Sequence, residues 1–224
     1  MRMLKPAMVL APLWYCAVVL FAGAFTPGYS HSFQALSELA APNAPYASLV
    51  RFGGFIPLGL VFVLFAFAVR RTPGSRAFRT AALILFVLTG LAIITAGIFP
   101  TDIHGRRNTF SGMTHAIDGI ILLVLISATP LIVAFTTASQ PHKYGFKIYS
   151  IASGIVLIIL FVLLPNGVSP ALIRLQQIIL GDLFSVWYKY QGLDQRALLF
   201  AYFIWLFFFV RSLGEGLPDT QAYT

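Results

Sequence analysis

The densest chemistry in the chain lies in the stretch FPTDIHGRRNTFSGMTHAIDGI, residues 99–120, which holds Asp102, His104, Arg106, Arg107, His115 and Asp118. A histidine titrates near neutral pH or ligates a metal, and a carboxylate beside it orients the ring. Arginine takes a carboxylate or phosphate in a two-pronged grip. His115 and Asp118 stand three apart, so on a helix they share a face. They are the first candidates for acid–base work, with Glu38 as a third candidate from an earlier connection. Asp102, His104, Arg106, Arg107 and Arg196 are the candidate ligand-binding residues. The bland alternative is a helix N-terminus, which favours an acid by its dipole. A zinc-like set can also be assembled from His31, Asp102, His104, His115 and Asp118. However, neither HExxH nor HxxxH spacing occurs. Neither a metal nor a cofactor is expected.

The elements that must position these residues follow from composition. Of 224 residues, 58% are hydrophobic and 10% charged, where a soluble domain carries about 25% charged residues. So apolar a chain cannot cover itself with polar groups in water. A soluble enzyme, a disordered tail and a fibrous protein are excluded. The single Cys excludes an intramolecular disulfide and any Cys-based metal site. A hydrocarbon core of about 30 Å needs roughly 20 apolar residues per helix. Six stretches qualify, at about 7–25, 52–69, 80–99, 116–135, 148–164 and 197–213. The expected fold is all-α: one polytopic membrane bundle of six spans, with short interfacial helices on its outer face.

Charge orients the bundle. Arg2, Lys5, Arg70, Arg71, Arg76, Arg79, Lys143, Lys147 and Arg211 fall on one side, with Glu215 and Asp219. The other six basic residues fall opposite, with five acids. The basic side is cytoplasmic by the positive-inside rule, so both termini are expected there. Basic loops lie against anionic lipid, which explains a net charge of +8 without nucleic acid. Span one has a second reading as a signal peptide, with Ala22-Gly23-Ala24 as the cleavage site.

The outer connections carry further features. Residues 32–39 have helical spacing before Pro42 and Pro45, suiting a short amphipathic helix. Residues 171–190 place Leu172, Leu175, Ile179, Leu183 and Val186 every three or four positions, then add Trp187, Tyr188 and Tyr190. Those aromatics suit an interfacial belt, so this segment is expected to lie on the outer face; the alternative is a seventh span. Asp194 is placed to cap the last span.

Three stretches together resemble the family of polytopic prokaryotic membrane proteins called domain of unknown function 998. They are Leu36-Ser37-Glu38-Leu39, then Phe99-Pro100-Thr101-Asp102 with Ser111-Gly112 and His115, then Gly192-Leu193-Asp194-Gln195-Arg196. The resemblance implies about six spans and assigns no activity. A looser similarity is to multi-span lipid hydrolases of the alkaline ceramidase type, for which Ser111, His115 and Asp118 are the nearest matches. Those enzymes carry a paired His motif late in the chain, and here no His follows His142.

The expectation is therefore a protein of the bacterial inner membrane with a polar pocket on its extracytoplasmic side. Its partners would be membrane lipids and a small or lipidic ligand that it binds or moves. The alternative is a membrane-embedded lipid hydrolase or transferase using His115 and Asp118. Oligomeric state is not legible.

Overall fold

A computed structural model describes residues 4–102, 108–137, 144–164 and 170–213. It is all-helical, with no strand among the described residues. Six helices are long and apolar enough to cross a membrane. They are α1 (Leu4–Ala24), the continuous span Leu49–Val69, α3 (Arg76–Ile98), α4 (Phe110–Thr136), α5 (Tyr144–Leu163) and α8 (Gln191–Ser212). The second span opens as a π-helix over Leu49–Phe55 and continues as α2 (Ile56–Val69). Between α5 and α8 lie the short helices α6 (Pro170–Leu180) and α7 (Leu183–Lys189).

The spans begin earlier than an apolar-run criterion places them. Helix α4 starts at Phe110, because the Thr109 side chain accepts from the Gly112 amide at 3.0 Å and caps the polar FSGMTHAID stretch. His115 therefore lies inside the helix with Asp118 rather than before it. Helix α8 likewise opens at Gln191, with Tyr190 rather than Asp194 at the capping position. Asp194 is 2% exposed, and neither carboxylate oxygen has a partner among the described residues. The segment 32–39 also departs from expectation. It forms only a 3₁₀ turn, Leu36–Ala40, which buries Leu36 and Leu39.

Helix α6 has 11 residues, a length of about 17 Å at 1.5 Å per residue, too short to cross. Gly181 (φ +53°) adopts the left-handed conformation that separates it from α7. Gln176 donates to the Val162 and Leu164 carbonyls at 2.6 and 2.8 Å, and Trp187 Nε1 to Leu163 at 3.0 Å. These bonds satisfy the orphan carbonyls at the end of α5 and hold the pair against it.

Consecutive spans pack side by side, and α8 touches both α5 and α1, so the six form a ring closed by the last helix. Gly59 of α2 and Gly90 of α3 face one another. A Cβ on Gly59 would meet the Gly90 carbonyl at 2.5 Å, so this crossing needs two residues without side chains. The buried face of α8 carries Tyr202, Trp205 and Phe209 across the ring to Phe62, Phe65 and Phe86. Trp205 Nε1 donates to Ser150 Oγ at 3.0 Å, which satisfies its only donor inside the bundle. This aromatic plug packs the interior of the ring through the stacked run Tyr202, Trp205 and Phe209.

Span one is part of this packing. Met8 and Ala22 are fully buried, and Tyr15, Val18 and Val19 nearly so. Pro57 has no N–H to give the carbonyl four residues back, that of Gly53. Trp14 Nε1 supplies that hydrogen bond from α1 at 2.7 Å.

Candidate functional site

Above the plug lies a cavity of about 90 Å³. Phe62 and Tyr202 belong to both, and the walls include Tyr15, Phe55, Leu58, Ile93, Leu122 and Leu199. Polar groups enter from three stretches of chain: Ser37 from the first connection, His115 from α4 and Gln195 from α8. These are the three stretches that carry the family resemblance, and the fold brings them to one place.

The turn between α3 and α4 is held by hydrogen bonds into the end of α3. Phe99 follows its last residue, and the Phe99 carbonyl lies 2.9 Å from His115 Nδ1. A carbonyl only accepts, so Nδ1 carries a proton and Nε2 is the ring's other nitrogen. Ser111 Oγ donates to the Pro100 carbonyl at 2.8 Å. Asp102 accepts from the amides of Asn108 and Thr109 at 2.8 and 3.0 Å, and from Thr109 Oγ1. Those bonds hold its carboxyl below the ordinary carboxylate range, with the Thr109 hydroxyl the largest cause. Gly112 leaves room for the carboxylate, since a Cβ there would collide with it.

The first connection is bound to α8. The Leu36 amide donates to Gln195 Oε1 at 2.8 Å, and the Leu193 amide to the Ser32 carbonyl at 3.0 Å. Gly192 lies so close to the Gln34 and His31 carbonyls that a side chain would not fit. Arg196 donates through Nη1 to the carbonyls of Gln34 (3.1 Å) and Gly192 (2.8 Å), and through Nη2 to Tyr29 Oη (2.5 Å). Its Nε is buried with no partner among the described residues. Burial raises the Tyr29 hydroxyl pKa, and the neighbouring arginine partly offsets it. His31 stacks edge-on against Tyr29, with ring centroids 5.2 Å apart. Burial first, and then Arg196, lower its pKa.

The candidate residues thus separate. His115 lines the cavity. Asp118, one turn on, is 8% exposed but lies off the lining, and its Oδ2 has no partner among the described residues. Glu38 closes its own 3₁₀ turn, accepting from the Ala35 amide at 2.9 Å and Gln34 Nε2 at 3.3 Å. It faces a shallow outer groove rather than the cavity. Asp102 is engaged in the α4 cap, and Arg196 stands beside the cavity. His104, Arg106 and Arg107 lie outside the described residues.

Arg51 and Arg196 bond to neutral oxygens rather than to a carboxylate. Arg51 donates to the Gly97 and Ile98 carbonyls at 2.9 and 3.0 Å. The reason is local: the last carbonyls of α3 have no amide to meet and attract a cation. Ser111, His115 and Asp118 do not form a hydrolytic set, since the hydroxyl and the imidazole are each directed to a carbonyl. Among the described residues, no three His, Cys, Asp or Glu side chains gather closely enough to hold a metal.

Residues that spacing did not single out are Tyr15, Tyr29, Tyr202 and Gln195. Gln195 alone had a signal, its place between Asp194 and Arg196 in the third stretch. The tyrosines sit in apolar helices or in a short connection, where an aromatic residue reads as packing.

Comparison with known proteins places the chain. It matches the model of the family described as Protein of unknown function (DUF998) over residues 9–212 and belongs to that family. No curated protein and no solved structure matches it.

Proposed function

Taking membership in this uncharacterised family as the premise, we propose that the protein binds or moves a small or lipidic ligand in the cavity lined by Ser37, His115 and Gln195. The observation that carries the reading is the lining: an apolar chamber with a few convergent polar groups, the usual character of a ligand site. At about 90 Å³ it exceeds the space one water needs, yet is smaller than a drug-sized pocket. It suits part of a ligand, with His115 Nε2 and the Gln195 amide to orient it. The aromatic plug beneath the cavity favours a binding chamber over a continuous pore.

The cavity end of the bundle faces away from the cytoplasm across the inner membrane of a bacterial cell, and both termini lie in the cytoplasm. Nine basic residues on the terminal side against six opposite support this orientation. Membrane lipids are the immediate partners.

The test is occupancy. A Cβ on Gly119 meets nothing within 4 Å, and the residue lines the cavity, so Gly119→Leu fills the space without displacing backbone. Native mass spectrometry of protein extracted in mild detergent should show a bound molecule on the wild type that Gly119→Leu lacks and His115→Ala holds less well. Identical adducts on all three would overturn the reading.

A further inference from the structure

A second, smaller cavity of about 30 Å³ lies against the first, between α1 and α8. Four residues line both: Tyr15, Leu36, Leu199 and Phe203. The partition is therefore only side chains, including the edge-to-face pair Tyr15–Phe203 with centroids 6.5 Å apart. On its far side the groove is bounded by Leu20 and Phe200, which are 55% and 50% exposed on the apolar surface of the bundle. Arg196 is the one charged residue in the lining, and Cys16 and Val19 complete it.

Arginine has five N–H donors. Three of these are used on Gln34, Gly192 and Tyr29, all neutral acceptors. Two remain, one of them the buried Nε–H. A cation beside an apolar groove, solvated only by neutral oxygens and with donors to spare, is matched by an oxyanion. Nothing else charged lines the groove, so a single negative charge balances it. The narrow groove and the small chamber behind it admit one hydrocarbon chain rather than two.

We infer that the cavity is filled sideways from the bilayer, between α1 and α8, by a single-chain amphiphile with a carboxylate head, of the long-chain fatty acid class. The inference rests on the cavity being a binding site and names its ligand class and entrance. The carboxylate takes the free N–H groups of Arg196. The chain passes Tyr15 and Phe203 as those rings turn aside, and its end occupies the space beside Gly119 and His115.

Cys16, the only cysteine, lines the groove and reports on it. The protein in nanodiscs of zwitterionic lipid is treated with N-ethylmaleimide in the presence of palmitate, octanoate, methyl palmitate or phosphatidylglycerol. Palmitate should slow labelling of Cys16, with methyl palmitate and phosphatidylglycerol at least tenfold weaker. Arg196→Gln should erase the preference for the acid over the ester, while Arg196→Lys keeps part of it. An unchanged labelling rate without added amphiphile shows that each variant is folded, and the comparison of acid with ester needs no variant. Gly119→Leu should weaken protection by palmitate but not by octanoate, which is too short to reach the cavity. Equal protection by acid and ester, or by phosphatidylglycerol, would overturn the assigned head group. Palmitate protection untouched by Gly119→Leu would confine the chain to the groove and overturn the route. Absence of protection by palmitate would overturn the whole inference, and the adduct difference between wild type and Gly119→Leu would then decide separately whether the cavity reading survives.

Discussion

The amide of Leu36 donates to Oε1 of Gln195 at 2.8 Å, joining the first connection of the chain to its last span. The backbone of one becomes part of the cavity wall of the other, since both residues line the same space. Gln195→Leu keeps the volume and leaves a buried amide without an acceptor, which costs about 1–3 kcal/mol. Thermal unfolding in detergent should show that loss, with Gln195→Glu recovering most of it because the carboxylate also accepts.

Trp14 and Pro57 form a coupled pair through the Gly53 carbonyl. Trp14→Phe removes the indole N–H that donates to this oxygen at 2.7 Å, for a loss of about 0.5–1.5 kcal/mol. In a Pro57→Ala background, position 57 regains an N–H for the same carbonyl. The Trp14→Phe change should then cost measurably less. A double-mutant cycle on melting temperatures checks this, and strict additivity would refute the coupling.

His31 gives the first connection a pH dependence. Its pKa in the fold lies below the ordinary value of about 6.5, because burial and Arg196 oppose the charged ring. The unfolded chain therefore binds this proton more readily than the folded one. The contribution of His31 to stability is full above pH 6.5 and declines as the pH falls from there through the lowered pKa. Melting curves at successive pH values should show the decline, and His31→Gln should flatten it.

The Asp102 carboxylate and Gly112 fit each other. Gly112→Ala places a methyl group against the carboxylate and should destabilise by about 1–3 kcal/mol as an overpacking change. Thr109→Ala removes the α4 cap, for about 0.5–2 kcal/mol. Because both act on one turn, the double variant should fall short of the sum, as unfolding in detergent would show.

Reporter fusions test the orientation. Fusions at Arg76 and Lys143 should read cytoplasmic and one at Arg107 extracytoplasmic. The opposite signal at Arg107 would overturn the charge argument.

The six spans were legible because each needs a long apolar run, and the chain has six of them. Their starts were not. The opening turns of α4 and α8 contain Ser111, His115, Asp194 and Arg196, polar residues that an apolar-run criterion leaves out but that side-chain caps and contacts with the connections accommodate. The site was partly legible for a related reason. A dense polar run marked the end of the bundle where the cavity lies, but polarity does not say which group caps a helix and which lines a space. Asp102, Ser111 and Glu38 answer to nearby backbone donors and acceptors. His115 Nε2 and Gln195 gain their roles from spans distant in sequence, which local spacing does not encode. Leu36 and Tyr15 offered no polar signal.

Ring closure by α8 has a consequence for biosynthesis. A ribosome delivers that helix after the other five spans, so during translation the seam between α1 and α5 stays open until α8 is made. The aromatic face of α8, the Gln195 acceptor for Leu36 and the guanidinium for Tyr29 all arrive together at the end. Until then the chamber has no wall on that side, and a chain halted before residue 191 would expose Tyr15, Phe62 and Phe86 to lipid. Completion of the cavity is thus tied to the synthesis of α8.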